Sequence, residues 1–215
     1  MVPIFASRRN EILGLDFMGP FRKSRNGNSY IIIGVDFYSK FVEASPTVSF
    51  DALITAIFAF NVVMCRHGAY EKVLTDRGVN FESHLFQHLC QLMGSKKVRT
   101  TSFHAQCNGG TEVVNKVIKP CLAKLIDTNH EDWDVYLPMA VSSYNNAFHT
   151  SIGMTPFEAH FGRPGYLVSD LILNNPLPAS TSYRDESEYT VELWNNSQRL
   201  NAIIRSNLEA AHERQ

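Results

Sequence analysis

The run SYIIIGVDF at residues 29–37 constrains the fold of this chain more than any other stretch. It is rich in β-branched and aromatic residues and apolar almost throughout, which is typical of a strand buried on both faces. A strand pattern at 11–20 precedes it through a basic, Gly- and Asn-containing connection at 22–28, and another follows at 41–44. Strands joined by such short connections must be antiparallel neighbours, so the chain is predicted to begin with three antiparallel strands.

After residue 50 the pattern changes to alternating helices and strands. Asp51 is predicted to cap a helix that ends near Gly68, since Asp favours N-caps and Gly favours helix ends. The segments that follow are a strand at 72–76, a helix at 83–93, a strand at 97–101 and a helix at 111–126, which Pro120 is expected to bend. Such alternation is typical of parallel crossover connections. The sequence therefore predicts an α/β fold with a five-stranded mixed sheet flanked by helices.

The rest of the chain reads as helical with one interruption. A helix is predicted at 132–147, and Thr155 with Pro156 forms a typical helix start. Residues 165–187 are rich in Pro, Ser and Asn and are expected to be a linker, and residues 188–215 to form one long C-terminal helix. We therefore expect an N-terminal tail at 1–10, a core at 11–164, the linker and the helix. No apolar run approaches the ~20 residues that span a bilayer, so no membrane partner is expected.

Charge is distributed unevenly along the chain. Residues 1–126 contain 15 Lys and Arg against 9 Asp and Glu, a net charge of +6, whereas residues 127–215 contain 5 against 12, a net charge of −7. A basic half attracts a phosphate backbone even when the whole molecule is near neutral. The four cysteines include no Cys-x-x-Cys pair, which argues against a zinc ribbon and suits a reducing compartment.

Three acidic residues lie at predicted element ends in the basic half. Asp16 and Asp76 end strands, and Glu112 begins a helix, with 35 residues between Asp76 and Glu112. Acids at strand ends and a helix start can converge on one site, and carboxylate oxygens are ligands that Mg²⁺ and Mn²⁺ prefer. The spacing alone is weak support for such a site.

Seven sequence motifs in a fixed order, called phrases below, make the prediction of this site specific. They are LDFMGPF at 15–21, DFYSKFVEA at 36–44, TDRGVNF at 75–81, TTSFHAQ at 100–106, DWD at 132–134, YN at 144–145 and HTSIGMTPFE at 149–158. In these phrases the chain resembles the integrase catalytic core of gypsy-type LTR retrotransposons and retroviruses. The resemblance covers about residues 11–164 and implies a ribonuclease-H-like fold.

The resemblance also implies a function. Asp16, Asp76 and Glu112 would be the catalytic and metal-binding triad, holding two Mg²⁺ or Mn²⁺ ions. The reaction would be DNA 3′-end processing and strand transfer, which needs metals on both the attacking and the leaving oxygen. Partners would be the element's DNA ends and a target duplex, together with a second copy of the chain in a homodimer or larger homo-oligomer. The expected location is the nucleus.

Several polar residues are predicted to contact DNA. Lys116 and Lys119 lie four and seven residues after Glu112, on the same helix face. His104, Gln106 and Asn108 belong to a Gly-rich loop that can place polar groups along a phosphate track.

Other candidate sites in the sequence are weaker. Asp36 matches an acid of the family that does not bind metal. His84 and His88 share a helix face near Cys90, but no fourth ligand at motif spacing supports a zinc site, so ordinary helix residues are expected. A Ser-His-Asp hydrolase is excluded by the absence of a Gly-x-Ser-x-Gly turn.

The chain departs from the family pattern at Ala105, Cys107, Thr111 and Val113, all near the start of the Glu112 helix. The family's zinc module and C-terminal DNA- or chromatin-binding module also have no counterpart in residues 1–215. These departures leave a second hypothesis open, a catalytically impaired or domesticated module that binds DNA or itself. A hydrolytic RNA–DNA nuclease on the same fold has no support from the phrases.

Overall fold

The computed structural model of the protein describes residues 6–99, 109–126, 130–165, 167, 170, 172 and 186–213. The chain divides into two compact units, Met1–Asn145 and Asn146–Gln215. Among the described residues, no helix combines the length and the apolar character needed to cross a bilayer.

The first unit is built on a five-stranded mixed sheet. Its strands are β1 (Ile12–Met18), β2 (Tyr30–Asp36), β3 (Val42–Thr47), β4 (Lys72–Thr75) and β5 (Lys96–Arg99). Their spatial order is β3-β2-β1-β4-β5. The pairs β1–β2 and β2–β3 are antiparallel, whereas β1–β4 and β4–β5 are parallel. The predicted antiparallel start and parallel crossovers are both confirmed, and β2 is an interior strand with six of seven residues buried.

Seven helices accompany the sheet in the described part of the chain. They are α1 (Ala52–Ile57), α2 (Cys65–His67), α3 (His84–Leu92), α4 (Gly109–Leu125), α5 (Trp133–Asn146), α6 (Pro156–Phe161) and α7 (Glu186–Glu213), with a π-helical segment, Phe58–Met64, between α1 and α2. The predicted caps are present. Asp51 accepts a hydrogen bond from the Ile54 amide at 2.9 Å, and Thr155 accepts one from the Glu158 amide at 3.1 Å.

The π-helical segment differs from the uninterrupted helix that the sequence predicts. Its buried residues are Phe58, Ala59, Val63 and Met64, two pairs that are five positions apart. In an α-helix, residues five apart point about 140° away from each other, whereas the wider π-turn brings them onto one face. The wider turn therefore lets both pairs face the core.

The sheet has an apolar core on each face. On one face Leu13, Leu15 and Ile32 join side chains of α1, the π-helical segment and α3. On the other face the sheet packs against α4 and α5, through Met18, Ile31, Ile33 and Val35 of the strands and Val114, Ile118, Leu122, Leu137 and Val141 of the helices. The alternation along β1 places Asp16 on the same face as Met18, the face that α4 covers.

The loop between β1 and β2 is fixed to the start of α5 by a buried carboxylate. Oδ2 of Asp134 accepts hydrogen bonds from Ser24 Oγ at 2.6 Å, Asn28 Nδ2 at 2.7 Å and Asn26 Nδ2 at 3.1 Å. Burial raises the pKa of the Asp134 carboxyl, but the hydrogen bonds outweigh burial and hold its pKa below the usual range. We call these four side chains the Asp134 cluster.

Replacing Asp134 by Asn is expected to lower the free energy of unfolding by about 1–3 kcal/mol at pH 7, because hydrogen bonds to a charged acceptor are lost. The folded pKa lies below the unfolded value of roughly 3.9, so the charged carboxyl contributes stability above that value. This contribution is lost as the pH falls through the folded pKa. Urea unfolding of the parent and the variant at pH 7 and pH 3 measures the difference. An equal difference at both pH values would assign the loss to packing instead of charge.

The second unit contains α6, α7 and the turn before α6. His149 and Met154 form an isolated antiparallel bridge across this turn. Asn207 of α7 donates from Nδ2 to the Ile152 carbonyl at 3.1 Å and covers Gly153, whose φ is +70°. Glycine is favoured here because few other residues adopt this φ, and a Cβ would also require Asn207 Nδ2, 2.4 Å away, to move.

Candidate active site

Asp16 lies within β1, and Asp76 directly follows β4, the parallel neighbour of β1. The ladder between β1 and β4 pairs Ile12 with Lys72 and Gly14 with Leu74, a constant offset of 60 residues. The paired residues end at Gly14 and Leu74, and the same offset continued by two residues would align Asp16 with Asp76. Both residues therefore lie at the carboxyl-terminal edge of the parallel strands, where open α/β sheets place their ligand sites.

Asp16 is held from two sides. Its Oδ1 accepts a hydrogen bond from the Phe17 amide at 2.8 Å, and its Oδ2 accepts one from Asn115 Nδ2 at 2.9 Å. Asn115 belongs to α4, so this contact attaches the helix to the end of β1. The amide oxygen of the same side chain, Asn115 Oδ1, is buried and accepts no hydrogen bond from the described residues.

Glu112 belongs to α4, three residues before Asn115. Its backbone therefore lies within one helical turn of the residue that holds Asp16. The Glu112 side chain lies outside what the structure describes. The predicted triad is consequently placed by two strand ends and one helix, and its roles remain predictions.

The start of α4 approaches β1 closely, and Gly14 permits this approach. A Cβ on residue 14 would lie 2.4 Å from Phe37 Cε2 and 3.0 Å from Thr111 Cγ2. Thr111 is fully buried and precedes Glu112 directly. Thr111 departs from the usual family residue, and the structure assigns it to the contact between helix and strand.

Asp76 arranges the loop that follows β4. Its Oδ1 accepts a hydrogen bond from the Gly78 amide at 2.8 Å, which closes a short Asp-initiated turn. The Gly78 Cβ position lies 2.6 Å from Asn80 Oδ1 and 3.0 Å from Asp76 Oδ1, so a side chain there would displace the carboxylate.

The donor chemistry of this edge fits a hard divalent cation. Asp16 of β1 and Asp76 after β4 each supply a carboxylate at this edge. An ionised carboxylate offers roughly four lone-pair sites, so one that accepts a hydrogen bond can also bind a metal. Among the described residues, no group of three His, Cys, Asp or Glu forms a metal cluster. The side chain of Glu112, the third predicted ligand, lies outside the described part of the chain.

The predicted DNA-contacting residues fall into two groups. Lys116 and Lys119 are exposed on α4, and Lys119 Nζ lies 6.0 Å from the ring centroid of Phe21. The loop residues His104, Gln106 and Asn108 lie outside the described residues.

Asp36, which the sequence predicts not to bind metal, holds the turn after β2 through hydrogen bonds to backbone amides. It is 2% exposed and accepts hydrogen bonds from the amides of Asn10, Tyr38 and Ser39 at 2.7–3.0 Å. These bonds fix the turn after β2. Burial lowers the pKa of the neighbouring Lys40 to about 8, although Asp36 opposes that shift.

The residue that sequence reasoning missed is Asn115. The available signal was its position three residues after Glu112, on the same side of a helix. An asparagine among Lys, Val and Glu gave no sign that it meets Asp16, since the contact spans 99 residues of sequence.

No protein-family model matches the chain. Among curated proteins it is 27% identical over 182 residues to the retrovirus-related Pol polyprotein from transposon 412 of Drosophila melanogaster, covering 83% of this chain and 15% of that protein. It is 31% identical over 144 residues to the Gag-Pol polyprotein of gibbon ape leukemia virus, covering 66% of this chain and 8% of that protein. The chain thus spans less than a sixth of the length of these relatives.

Solved structures share the fold. The HTLV-2 integrase catalytic core domain in complex with magnesium, in a trimeric form, aligns with a TM-score of 0.59 and 24% identity over 71% of this chain and 97% of that chain. A chain of the simian T-cell lymphotropic virus intasome, in complex with PP2A regulatory subunit B56 gamma, aligns with a TM-score of 0.66 and 20% identity over 85% of this chain and 62% of that chain.

The strand order and the similar solved structures define an α/β domain of the ribonuclease-H-like fold. Together with the Pol polyprotein relatives, they identify the chain as a member of the family of integrase catalytic cores of LTR retrotransposons and retroviruses.

Proposed function

We propose that this chain is the catalytic core of a retroelement integrase, carrying out metal-dependent 3′-end processing and strand transfer of DNA. The observation that supports the proposal is the parallel register of β1 and β4, whose continuation by two residues would align Asp16 with Asp76 at the carboxyl-terminal edge. Helix α4, which contains Glu112, is attached to the same edge through Asn115.

Each carboxylate has a defined part in the proposed site. Asp16, Asp76 and Glu112 would hold two Mg²⁺ or Mn²⁺ ions, which would activate the attacking oxygen and stabilise the leaving oxygen at the phosphodiester. Asn115 orients Asp16 through Oδ2, and the Gly78 amide orients Asp76 through Oδ1. Such fixed orientation lowers the reorganisation needed when charge develops in the transition state.

We also propose DNA and a second copy of the chain as partners, and the nucleus as the location. DNA is supported by the exposed Lys116 and Lys119 beside the site. Assembly is supported by the similar HTLV-2 core, which has trimeric and dimeric forms, and by the similar intasome chain.

The test is strand transfer on a branched DNA substrate, with Mg²⁺ or Mn²⁺ and with EDTA. The parent protein is expected to resolve the branch only with metal, and Asp76→Asn is expected to remove the signal, because one ligand of the site is lost. Equal, metal-independent signals from parent and variant would overturn the proposal.

A second function has one specific observation in its favour. Val113, beside Glu112, is 46% exposed where the family usually has arginine, while the α4 lysines need no metal to meet DNA. This arrangement supports a non-catalytic module that binds DNA. In that case duplex binding persists in EDTA, and no metal-dependent cleavage appears at any protein concentration.

A further inference from the structure

The loop between β1 and β2, residues 22–28, presents cations at the sheet edge that contains Asp16. β1 runs through Asp16 to Met18, so the loop starts at the same carboxyl-terminal edge. Phe21 joins this loop to the α4 cations, because its ring lies 5.1 Å from that of Trp133 and 6.0 Å from Lys119 Nζ. Lys119 of α4 therefore lies near Phe21, the residue that precedes the loop.

Hydrogen bonds of both side chains and backbone hold this loop in place. The Asp134 cluster holds it from below, with three side-chain hydrogen bonds on one buried oxygen. Its backbone is fixed as well, since the Ser24 amide donates to the Asn28 carbonyl at 2.8 Å and the Arg25 amide donates to the Glu131 carbonyl at 2.9 Å. A loop ordered before binding loses little conformational entropy when a partner arrives.

The three cations of the loop, Arg22, Lys23 and Arg25, are exposed. Lys23 is exposed and forms no ion pair among the described residues. Arg25 is 72% exposed and lies 3.9 Å from Glu131, whereas Arg22 lies 2.9 Å from the same carboxylate. Glu131 pairs mainly with Arg22, and the charged Asp134 carboxylate, hydrogen-bonded to Ser24, offsets part of the remaining positive charge. Exposed ion pairs of this kind contribute little and are readily exchanged for a phosphate.

We propose that residues 22–28 form a preorganised contact for the DNA phosphate backbone, with Lys23 and Arg25 as the contacting cations. The proposal rests on the proposed function and extends its DNA track beyond α4. Two cations on one ordered loop can contact phosphates of the same strand, and such contacts position a duplex without reading its sequence. An acidic protein segment would present carboxylates to the same cations and is the competing occupant.

The test compares duplex binding by Lys23→Ala/Arg25→Ala with a charge-matched control, Lys96→Ala/Arg66→Ala. Lys96 begins β5, and Arg66 precedes the segment that leads into β4, so both control residues lie toward the opposite edge of the sheet. Fluorescence anisotropy with a labelled 25-base-pair duplex between 50 and 200 mM NaCl, in EDTA, gives the affinity and its salt dependence.

The loop variant is expected to bind about tenfold more weakly for each lost contact at ~0.1 M salt. The plot of log K against log salt has a negative slope, and its magnitude is expected to decrease by about 1.8 for two lost contacts. The control variant should keep the slope of the parent. Exchanging the two cations, Lys23→Arg/Arg25→Lys, should retain the affinity of the parent within about twofold, since phosphate contacts depend first on charge.

Three outcomes overturn the inference. If the parent resolves branched DNA with metal but the loop variant keeps the parent's affinity and slope, the loop proposal fails and the proposed function stands. If the parent binds no duplex even at 50 mM salt, both fail. If poly-glutamate loses affinity for the loop variant while duplex DNA does not, the partner of this loop is an acidic protein segment.

Discussion

Replacing Asp16 by Asn is expected to lower metal-dependent strand transfer about 1000-fold while the fold is retained. Metal stabilisation of a transferring phosphoryl group contributes several kcal/mol, and about 4 kcal/mol corresponds to that factor. The amide keeps an oxygen that can accept from the Asn115 amide, so the attachment of α4 survives. Rates on the branched substrate, together with a thermal melt, measure the two effects separately.

The matched control for this variant is Glu71→Gln, another acid-to-amide change. Glu71 is paired with Arg8 beside the first residue of β4, at the opposite edge of the sheet. Glu71→Gln should retain the rate within about twofold, since exposed ion pairs contribute about 0–1 kcal/mol. A normal rate for Asp16→Asn, or an equal loss in both variants, would remove Asp16 from the catalytic site.

Adding a single methyl group at Gly14 is expected to destabilise the fold by about 1–3 kcal/mol and to lower activity further. The new Cβ would overlap Phe37 and touch Thr111, and overpacking of a filled site carries this cost. Relief of the overlap moves either the Phe37 ring or the first turn of α4, which contains Glu112. Urea unfolding and the branched-DNA assay of Gly14→Ala measure both effects.

A double-mutant cycle with Phe37→Leu tests this explanation. Leucine lacks the ring atom Cε2 that lies nearest to the added methyl group. The double variant should therefore be more stable than the two single changes predict by addition, with a coupling of about 0.5–3 kcal/mol. Simple additivity would show that the close contact at Gly14 does not limit the fold.

The sheet could be predicted from sequence because its information is local. The apolar run of β2 predicted a strand buried on both faces, and the short connections on either side predicted its antiparallel neighbours. The Asp51 and Thr155 caps were readable for the same reason, since a cap is a contact over three residues. The prediction of Asp16, Asp76 and Glu112 as a metal site depended on the surrounding sequence motifs and not on the spacing of the three acids.

The contacts that refine the site were not predictable, because they join distant parts of the chain. The bond from Asn115 to Asp16 and the Asp134 cluster link residues 99 to 110 positions apart. The π-helical segment also escaped prediction, since its apolar residues read equally well as a regular helix. In each case a partner from elsewhere in the fold selects the local structure.

The constant offset between β1 and β4 determines which insertions and deletions the chain can tolerate during evolution. Because backbone hydrogen bonds fix the register of β1 and β4, the loops between Asp16 and Asp76 can gain or lose length without shifting the two strands against each other. A slip of β4 by a single residue, in contrast, would turn Asp76 to the other face of the sheet. The site is therefore tolerant of insertions along the chain and intolerant of the smallest error in strand pairing.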